Sequence, residues 1–180
     1  MTDQALLDKF GNLDTRNFAF NQLMQKYQQK VYWHIRKMVI DHDDANDLTQ
    51  ETFLKAWQAL QNFRGDAQLF TWLYRIATNE CLNFLNKKKR RFFLPIGDVE
   101  EELLEKLAAN PVISGDEIQL KLQKAVLKLP DKQRLVFNMK YFDDLKYEDI
   151  AEITGTSVGA LKASYHHAVH KIEESLNGED

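Results

Sequence analysis

Apolar residues recur three and four positions apart along most of the chain, which is the period of amphipathic helices. In the first helix this repeat runs through Phe20, Leu23, Met24, Tyr27, Val31, Ile35 and Met38. Short acids after residue 40 favour the start of a second helix over about residues 45–60. Beyond the Arg64-Gly65-Asp66 turn, with Asp66 as a candidate N-cap, a third helix should reach Lys87. Its expected core side chains are Leu69, Leu73, Ile76, Ala77 and Phe84. With only seven glycines, three prolines and no strand-like alternation, the pattern predicts an all-α fold.

The last part of the chain has the pattern of a helix-turn-helix. Pro130 begins one helix, at a position that proline tolerates well. A short helix over residues 147–154 precedes Gly155, whose backbone can adopt the left-handed conformation of a tight turn. Thr156 or Ser157 can then cap a second helix. The inner side of that helix carries Val158, Leu161, Tyr165, Val169 and Ile172. Such a motif presents its second helix to the major groove of DNA, although two packed helices without a DNA role share the pattern.

A short acidic segment, residues 95–118, separates these two patterns. It contains two of the three prolines and has a net charge of −6, against +4 for residues 1–94 and −1 for residues 119–180. We therefore expect two small helical domains joined by a flexible acidic linker, which contains one short helix around residues 100–107. Without a partner to hold them, the two domains are expected to contact each other little.

The composition favours a soluble protein of a reducing compartment. An apolar fraction of 44% is ordinary for a globular chain, and no apolar run approaches the roughly 18 residues that a membrane span needs. The N-terminus lacks the basic and apolar regions of a secretory signal. Cys81 is the only cysteine, so no internal disulfide can form. We expect a cytoplasmic protein that does not insert into a membrane.

The third predicted helix combines aromatic and basic side chains. Trp72 and Tyr74 cannot both lie on its apolar stripe, so at least one ring should be partly exposed. The same helix carries Arg75, Asn79, Asn83 and, at the start of five consecutive basic residues, Lys87. Rings that stack on unpaired bases, beside cations that hold phosphates, suit single-stranded DNA. Peripheral core packing of the rings and a favourable helix C-terminus for the basic run are the alternatives.

The second predicted helix has a polar, largely acidic face opposite its buried side. The residues of this face are Asp47, Gln50, Glu51 and Leu54, which recur at three or four positions. A solvated surface explains the pattern, and a docking face for another protein is the alternative.

In this order, the patterns resemble the extracytoplasmic-function (ECF) group of bacterial RNA polymerase sigma factors. The N-terminal domain of that group, region two, is similar to DANDLTQETFLKAWQAL and FRGDAQLFTWLYRIATNECLNFL. The C-terminal domain, region four, is similar to LKLPDKQRLVFNMKYFDDLKYEDIAEITGTSVGALKASYHHAVHKIEESL. The resemblance covers the chain from about Phe18 to Leu176. It implies a protein that binds core RNA polymerase, directs it to a promoter and helps to melt the DNA, without being an enzyme and without a cofactor.

The resemblance also implies roles for individual residues. Core polymerase, through the clamp helices of its largest subunit, is expected to contact Asp47, Gln50, Glu51 and Leu54. A loop that captures a flipped base of the minus-ten element is formed by Asn62, Arg64, Gly65, Asp66 and Ala67. The helix that contacts and helps to open this element contributes Trp72, Tyr74, Arg75, Asn79, Asn83 and Lys87. The duplex minus-thirty-five element is expected to contact Ser157, Lys162, Ala163, Ser164, His166 and His167. The helix of residues 130–141 should contact the polymerase flap, and the acidic segment should thread toward the active-site cleft.

The chain departs from the pattern of this family in its positive charge. Ser164, His167 and Val169 stand where many relatives carry arginine, and so does Phe70. Fewer permanent charges mean fewer phosphate contacts and a shallower salt dependence. We therefore expect weak autonomous binding to the minus-thirty-five element. Many relatives are held inactive by an anti-sigma protein, so such a partner is also expected, although these residues do not identify one.

Two other classes of function remain open at this stage. A conventional helix-turn-helix regulator would bind duplex DNA tightly without polymerase, but it leaves the aromatic helix and the basic run unexplained. An enzyme could use a metal held by His34, His42 and the acids of residues 41–47, but this spacing suits a loop and a helix start. His166 and His170 could share a metal, yet no third ligand is evident. No metal is expected.

Overall fold

The computed structural model describes residues 1–91, 96–112 and 116–178, and every regular element within these ranges is a helix. The α-helices are α1 (Asp3–Phe10), α2 (Arg16–Val39), α3 (His42–Ala59), α4 (Leu69–Arg91), α5 (Ile96–Ala109), α6 (Glu117–Leu127), α7 (Asp131–Phe137), α8 (Tyr147–Thr154) and α9 (Val158–Asn177). A 3-10 turn, Leu60–Asn62, follows α3, and one π-helical turn, Asn138–Phe142, continues α7. The prediction of an all-α fold is confirmed.

The N-terminal half is a bundle of α1 to α4 around an apolar core. Of the five core side chains expected on α4, Leu69, Leu73 and Ala77 are buried, whereas Ile76 and Phe84 are half-buried. These side chains pack α4 against α2 and α3. The bundle therefore covers one side of α4 and leaves its polar side outside.

Short polar side chains determine where helices begin in this half. The Asp41 carboxylate accepts a hydrogen bond from the Asp44 amide at 3.0 Å and caps α3, as the short acids predict. Asp66 does not cap the next helix, because α4 begins only at Leu69 and Asp66 is an exposed residue of the preceding loop. The periodicity did not predict α1, which packs on α2 and buries Phe10.

The acidic segment between the halves contains a packed helix. α5 is 14 residues long, longer than the short helix expected around residues 100–107. Its buried side carries Val99, Leu103 and Leu107. The Lys88 ammonium lies 2.8 Å from the Glu102 carboxylate and joins α5 to the end of α4. The described part of the segment is therefore a helix fixed to the rest of the molecule, not the flexible linker that was expected; residues 95 and 113–115 lie outside the described ranges.

The C-terminal half has the predicted helix-turn-helix. α8 spans residues 147–154, as expected, and Gly155 after it has the left-handed φ of 70°. The Gly155 amide donates to the carbonyl of Ala151 at 2.8 Å, which closes the last turn of α8. The Ser157 hydroxyl accepts a hydrogen bond from the Ala160 amide at 3.2 Å, so Ser157, not Thr156, caps α9.

The two halves pack against each other, so the expectation that they contact each other little is wrong. α8 lies along α4, and α7 with the π-helical turn packs on the end of α2. The buried Arg134 guanidinium donates a hydrogen bond to the carbonyl of Met38 at 3.0 Å. Apolar side chains of both halves form one continuous core. Periodicity could not predict this contact, because it shows which face of a helix is apolar and not which helix covers that face.

Candidate nucleic-acid interface

The acidic face of α3, formed by Asp47, Gln50, Glu51 and Leu54, lies at the surface. All four side chains are exposed, and Leu54 is 52% exposed. The neighbouring cation, Lys55, is engaged in an ion pair with Glu80. An exposed leucine among carboxylates can bind a protein surface that is basic at its rim and apolar at its centre.

The loop of residues 62–67 begins at the last residue of the 3-10 turn and lies beside α1. Asn62, Arg64, Gly65 and Asp66 are exposed, and Ala67 is half-buried. Gly65 has a φ of 77°, a conformation that favours glycine and that turns the chain toward α4. An open groove of about 460 Å³ lies between this loop and α1, and its polar lining includes Gln4, Asp8, Arg16, Gln61 and Arg64. The loop thus contributes the Arg64 side chain to a space that is open to solvent.

The two aromatic residues of α4 have different environments. Trp72 is half-buried, and its ring packs on Phe63 with 5.1 Å between centroids. Tyr74 is 3% exposed, stacks on the buried His34 ring at 4.6 Å and donates its hydroxyl to the carbonyl of Lys30 at 3.2 Å. Burial raises the pKa of the Tyr74 phenol. Tyr74 is therefore a core residue and does not present its ring to DNA here, so only Trp72 fits the expectation of a partly exposed ring.

Four polar side chains of α4 form a stripe on its outer side. Arg75, Asn79, Asn83 and Lys87 are all exposed. Because they are four positions apart, they lie almost in line along the helix. Two amides and two cations in a row can hold a single nucleic-acid strand by its phosphates and base edges.

The predicted reading face of α9 is mostly exposed. Lys162, Ala163, His166 and His167 point to solvent, whereas Ser164 is half-buried. The Lys162 ammonium lies 5.8 Å from the centre of the Tyr147 ring, in a cation–π contact with α8. Ser157 is exposed, but its hydroxyl is engaged in the cap of α9, so its first role is to fix where that helix begins.

One residue of the α4 stripe, Asn79, and the first turns of α9 line the same groove. This groove, of about 320 Å³, is bordered on the α4 side by Thr78, Asn79 and Leu82 and on the other side by Thr154, Thr156, Ala160 and Ser164. The Thr71 hydroxyl of α4 donates to the Glu152 carboxylate of α8 at 2.8 Å at one end of the contact. Asn79 and Ser164 therefore border the same groove, whereas Arg75, Asn83 and Lys87 of α4 do not line it and are exposed.

A charged cluster links α2 to the C-terminal half. The Asp143 carboxylate forms an ion pair with Lys37, and its other oxygen is 3.8 Å from Nδ1 of the buried His34. Burial alone would raise the pKa of Asp143, but the nearby His34 ring and Lys37 ammonium outweigh burial and hold that pKa below its ordinary value. The His34 Nε2 atom is 2.9 Å from the Thr78 hydroxyl of α4.

The residues considered for a metal site do not come together. His34 is enclosed in the core, and the His42 ring contacts Tyr32 and Asn46. His170 lies 3.3 Å from Glu174, one turn along α9. Among the residues that the structure describes, no group of three or more histidine, cysteine, aspartate or glutamate side chains could hold a metal ion. Within the same residues, no helix has the length and apolar character to cross a membrane.

Sequence reasoning overlooked the cluster of His34, Lys37 and Asp143. A signal was available for His34, because it interrupts the apolar stripe of α2 between Val31 and Ile35. A polar residue within such a stripe is buried and needs a partner. No local pattern shows that the partner is Asp143, which is more than 100 positions away.

Comparison with known protein families gives two matches in order. Residues 23–91 match the family Sigma-70 region 2, and residues 119–172 match Sigma-70, region 4. The RNA polymerase sigma-H factor of Pseudomonas aeruginosa is 35% identical over an alignment that covers 97% of this chain and 93% of the relative. The ECF RNA polymerase sigma-E factor of Escherichia coli K12 is 34% identical, with 98% and 95% covered.

Two solved structures have a similar fold. One is the sigma factor RpoE in complex with the anti-sigma factor NepR from Bartonella quintana, with a TM-score of 0.67, 23% identity, and 88% of this chain and 96% of that chain covered. The other is CnrH in complex with the cytosolic domain of CnrY, with a TM-score of 0.69, 23% identity and 99% of both chains covered. At this level of identity the likeness concerns the fold.

Proposed function

The chain belongs to the ECF group of the sigma-70 family of RNA polymerase sigma factors, and we propose that residues 1–94 and 119–180 act as its two promoter-reading domains. A sigma factor binds core polymerase and directs it to promoters, where it helps to melt the DNA. In our proposal, the first domain binds polymerase and the minus-ten element, the second binds the minus-thirty-five element, and residues 95–118 connect them. Sigma factors are not themselves enzymes, and binding of unpaired bases supplies the free energy for opening.

The polar stripe of α4 is the single observation that carries the proposal for the minus-ten element. Arg75, Asn79, Asn83 and Lys87 offer hydrogen bonds and positive charge along one line, and the rim of the Trp72 ring lies on the same helix. In the loop of Asn62, Arg64, Gly65, Asp66 and Ala67, the residues Arg64 and Gly65 border an open groove, where a flipped base can bind. Asn62 and Asp66 are exposed in the same loop. Tyr74 would support this surface from the core by holding α4 against α2.

The minus-thirty-five element is assigned to the exposed side of α9. Lys162, Ala163, Ser164, His166 and His167 are the residues proposed to face the major groove, and Ser157 sets the start of the helix. With one lysine and two histidines, this face carries little permanent charge. Binding of the free domain to duplex DNA should therefore be weak and should depend only modestly on salt.

The acidic face of α3 is the proposed contact with core polymerase. Asp47, Gln50 and Glu51 supply negative and polar groups, and Leu54 supplies the exposed apolar centre that a stable interface needs. The same reasoning leads us to propose a cytoplasmic protein that uses no cofactor. The solved relatives contain a bound anti-sigma factor in one case and the cytosolic domain of CnrY in the other, and we propose an anti-sigma partner for this chain as well.

Charge reversal tests the contact with polymerase. The double variant Asp47→Lys with Glu51→Lys should lose at least about tenfold in affinity for cognate core polymerase, because like charges would face each other across the interface. Glu173→Lys with Glu174→Lys makes the same change of charge on exposed residues of α9 and should bind as the wild type does. Equal affinity of both double variants in a co-migration or anisotropy assay would refute the assignment of this face.

Transcript sequencing tests the function as a whole. Purified protein, core polymerase and genomic fragments are incubated, and transcripts are compared with and without the protein. New transcripts that start at a fixed distance from a shared two-part motif are expected, and they identify the promoter elements. If no new start appears and the protein does not co-migrate with polymerase, the proposal fails.

A further inference from the structure

The Tyr147 ring at the start of α8 contacts two lysine side chains. It is half-buried and packs against the apolar core, so the fold fixes its position. The Lys140 ammonium lies 4.7 Å from the centre of the ring, and the Lys162 ammonium of α9 lies 5.8 Å from it. The Tyr165 ring of α9 meets the Tyr147 ring at 74°, with 6.5 Å between centroids. Both ammonium groups are within the range of a cation–π contact.

The two lysines differ in what else they contact. The Lys140 ammonium also donates a hydrogen bond to the carbonyl of Leu145 at 3.3 Å, and this lysine is half-buried. Lys162 is exposed, and within residues 1–91, 96–112 and 116–178 the Tyr147 ring is the one partner of its ammonium. The ring therefore determines the direction of the Lys162 side chain, whereas Lys140 has a second anchor.

Lys162 is the permanent cation of the α9 face that is proposed to enter the major groove. The other residues of that face, Ala163, Ser164, His166 and His167, carry no permanent charge. A free lysine side chain has many rotamers and loses most of this freedom when it binds. A ring that holds the ammonium in place before binding lowers this cost. Removal of the ring should therefore weaken DNA binding even though the charge is kept.

The contact with Tyr147 also determines where on the DNA the ammonium can bind. In a helix-turn-helix, the second helix enters the major groove while the first helix crosses the DNA backbone. The Lys162 side chain of the second helix, α9, leans toward the start of the first helix, α8. We propose that Tyr147 is a positioning residue, which holds Lys162 against a phosphate beside the minus-thirty-five element and not against a base edge. This role rests on the function proposed above for α9.

A double-mutant cycle tests whether the ring acts through the lysine. Core polymerase with the full chain binds a fluorescent duplex promoter fragment found by transcript sequencing, and anisotropy gives the dissociation constant. Tyr147→Leu should weaken binding about threefold, the effect of a cation–π contact at an exposed site. In a Lys162→Ala background the same change should have no further effect. An equal loss in both backgrounds would show that the ring acts independently of Lys162, and would overturn the proposal.

Tyr147→Phe keeps the ring and removes only the hydroxyl group, so it should bind as the wild type does. A loss equal to that of Tyr147→Leu would assign the effect to the hydroxyl and contradict the role of the ring. Circular dichroism shows whether Tyr147→Leu keeps its helices. If it loses helix, Tyr147→Met, whose flexible side chain fills irregular space, takes its place in the cycle.

Salt dependence tests the contact with phosphate. Lys162→Ala should make the slope of log affinity against log salt concentration shallower by about 0.9, the value for one phosphate of duplex DNA. It should weaken binding by the same factor on fragments with an intact and with a scrambled minus-thirty-five element, because a phosphate carries no sequence information. A loss confined to the intact element would show that Lys162 reads a base, and would refute the phosphate contact.

The matched control is Lys171→Ala, which removes an exposed lysine nine positions later, on the opposite side of α9. It should change neither the dissociation constant nor the slope; an equal change for both lysine variants would mean that net charge, and not the position of Lys162, controls binding. The two proposals fail differently. Absence of promoter-specific transcripts would refute the sigma assignment and the role of Tyr147 with it, whereas promoter-specific transcription with an unchanged dissociation constant for Tyr147→Leu refutes the role of Tyr147 alone.

Discussion

Burial disfavours the negative charge of the Asp143 carboxylate, whereas two neighbouring side chains favour it. Its side chain is only 14% exposed, yet Lys37 and His34 of the other half lie close to it. The resulting low pKa means that the ionised carboxylate stabilises the native state. One carboxylate therefore contributes to the joining of the two halves, and its contribution depends on pH.

We expect Asp143→Asn to lower the free energy of unfolding by about 2 kcal/mol at neutral pH, the typical value for a hydrogen bond to a charged group. Because the native pKa lies below the ordinary value of 3.8, the contribution of Asp143 is present above about pH 4 and is lost as the pH falls through the native pKa. Urea unfolding of both proteins between pH 7 and pH 3 measures it. A difference between the two proteins that stays constant over this range would contradict the prediction. Other acids with lowered pKa, such as Asp41 and Glu102, titrate in both proteins and cancel in the difference.

At the scale of residues, the sequence predicted which side chains share the exposed face of a single helix. The exposed stripe of α4 and the acidic face of α3 follow from helical spacing alone. Trp72 and Tyr74 show the limit of this reasoning, because at least one ring was expected to be partly exposed and helical spacing does not say which. Tyr74 is buried since His34 and the Lys30 carbonyl of α2 offer it a stacking partner and an acceptor. These partners are at least 40 positions away and have no local signature.

The residues at the ends of α8 and α9 determine where each of these helices stops or starts. Gly155 ends α8 with a positive φ, and Ser157 caps α9 two residues later, so three positions fix the angle between the two helices. The turn at Gly155 was predicted and Ser157 was one of two candidate caps, with Thr156, because the residue types that adopt a left-handed turn and that cap a helix are few. The start of α4 was mispredicted, since Asp66 has the chemistry of a cap but lies in the loop before Leu69.

Two glycine substitutions in the helix-turn-helix should have opposite effects. Gly155→Ala should destabilise the protein by about 1 kcal/mol, because an L-residue at a φ of 70° is strained although no atom obstructs its Cβ. Gly159→Ala should stabilise by up to about 1 kcal/mol, since Gly159 lies in α9, its Cβ would enter open space, and alanine is the better helix former. For a chain of this size each change corresponds to about 3 °C in thermal unfolding, which calorimetry resolves. The same sign for both changes would show that backbone conformation does not govern these positions.

The segment between the halves was expected to be a flexible linker, whereas its described part contains the packed helix α5. Prolines and acids favoured a flexible linker, yet Val99, Leu103 and Leu107 recur at four positions and form a buried stripe on α5. The acids lie mainly on the outer side of the helix, so the composition and the packing do not conflict. The periodicity within this segment was a better guide than its charge.

On the scale of the whole molecule, the two halves share a core although each has its own family signature. Leu135, Ile150 and Leu161 of the C-terminal half belong to the same buried cluster as Leu73 and Ala77 of α4. The fold class and the order of the elements could be predicted from the sequence, since helical spacing is local. The contact of the halves could not, because it depends on pairs such as Arg134 and Met38 that are 96 positions apart.

A shared core predicts that the free protein unfolds as one unit. All three tryptophans, Trp33, Trp57 and Trp72, lie in the N-terminal half, so their fluorescence reports that half alone. Far-ultraviolet circular dichroism reports the helices of both halves. Urea transitions followed by the two signals should coincide, as two-state unfolding requires. A fluorescence transition separated from the dichroism transition would show that the halves unfold independently.

The contact between Thr71 and Glu152 also has a consequence for biosynthesis. The two residues are 81 positions apart, and at 5–20 residues per second a ribosome needs about 4 to 16 s to make that stretch of chain. The bundle of α1 to α4 can fold during this interval, when no α8 yet exists to cover it. During each round of translation there is therefore a short period in which α4 of the nascent chain has no contact with α8. Such chains are present only while the protein is being synthesised.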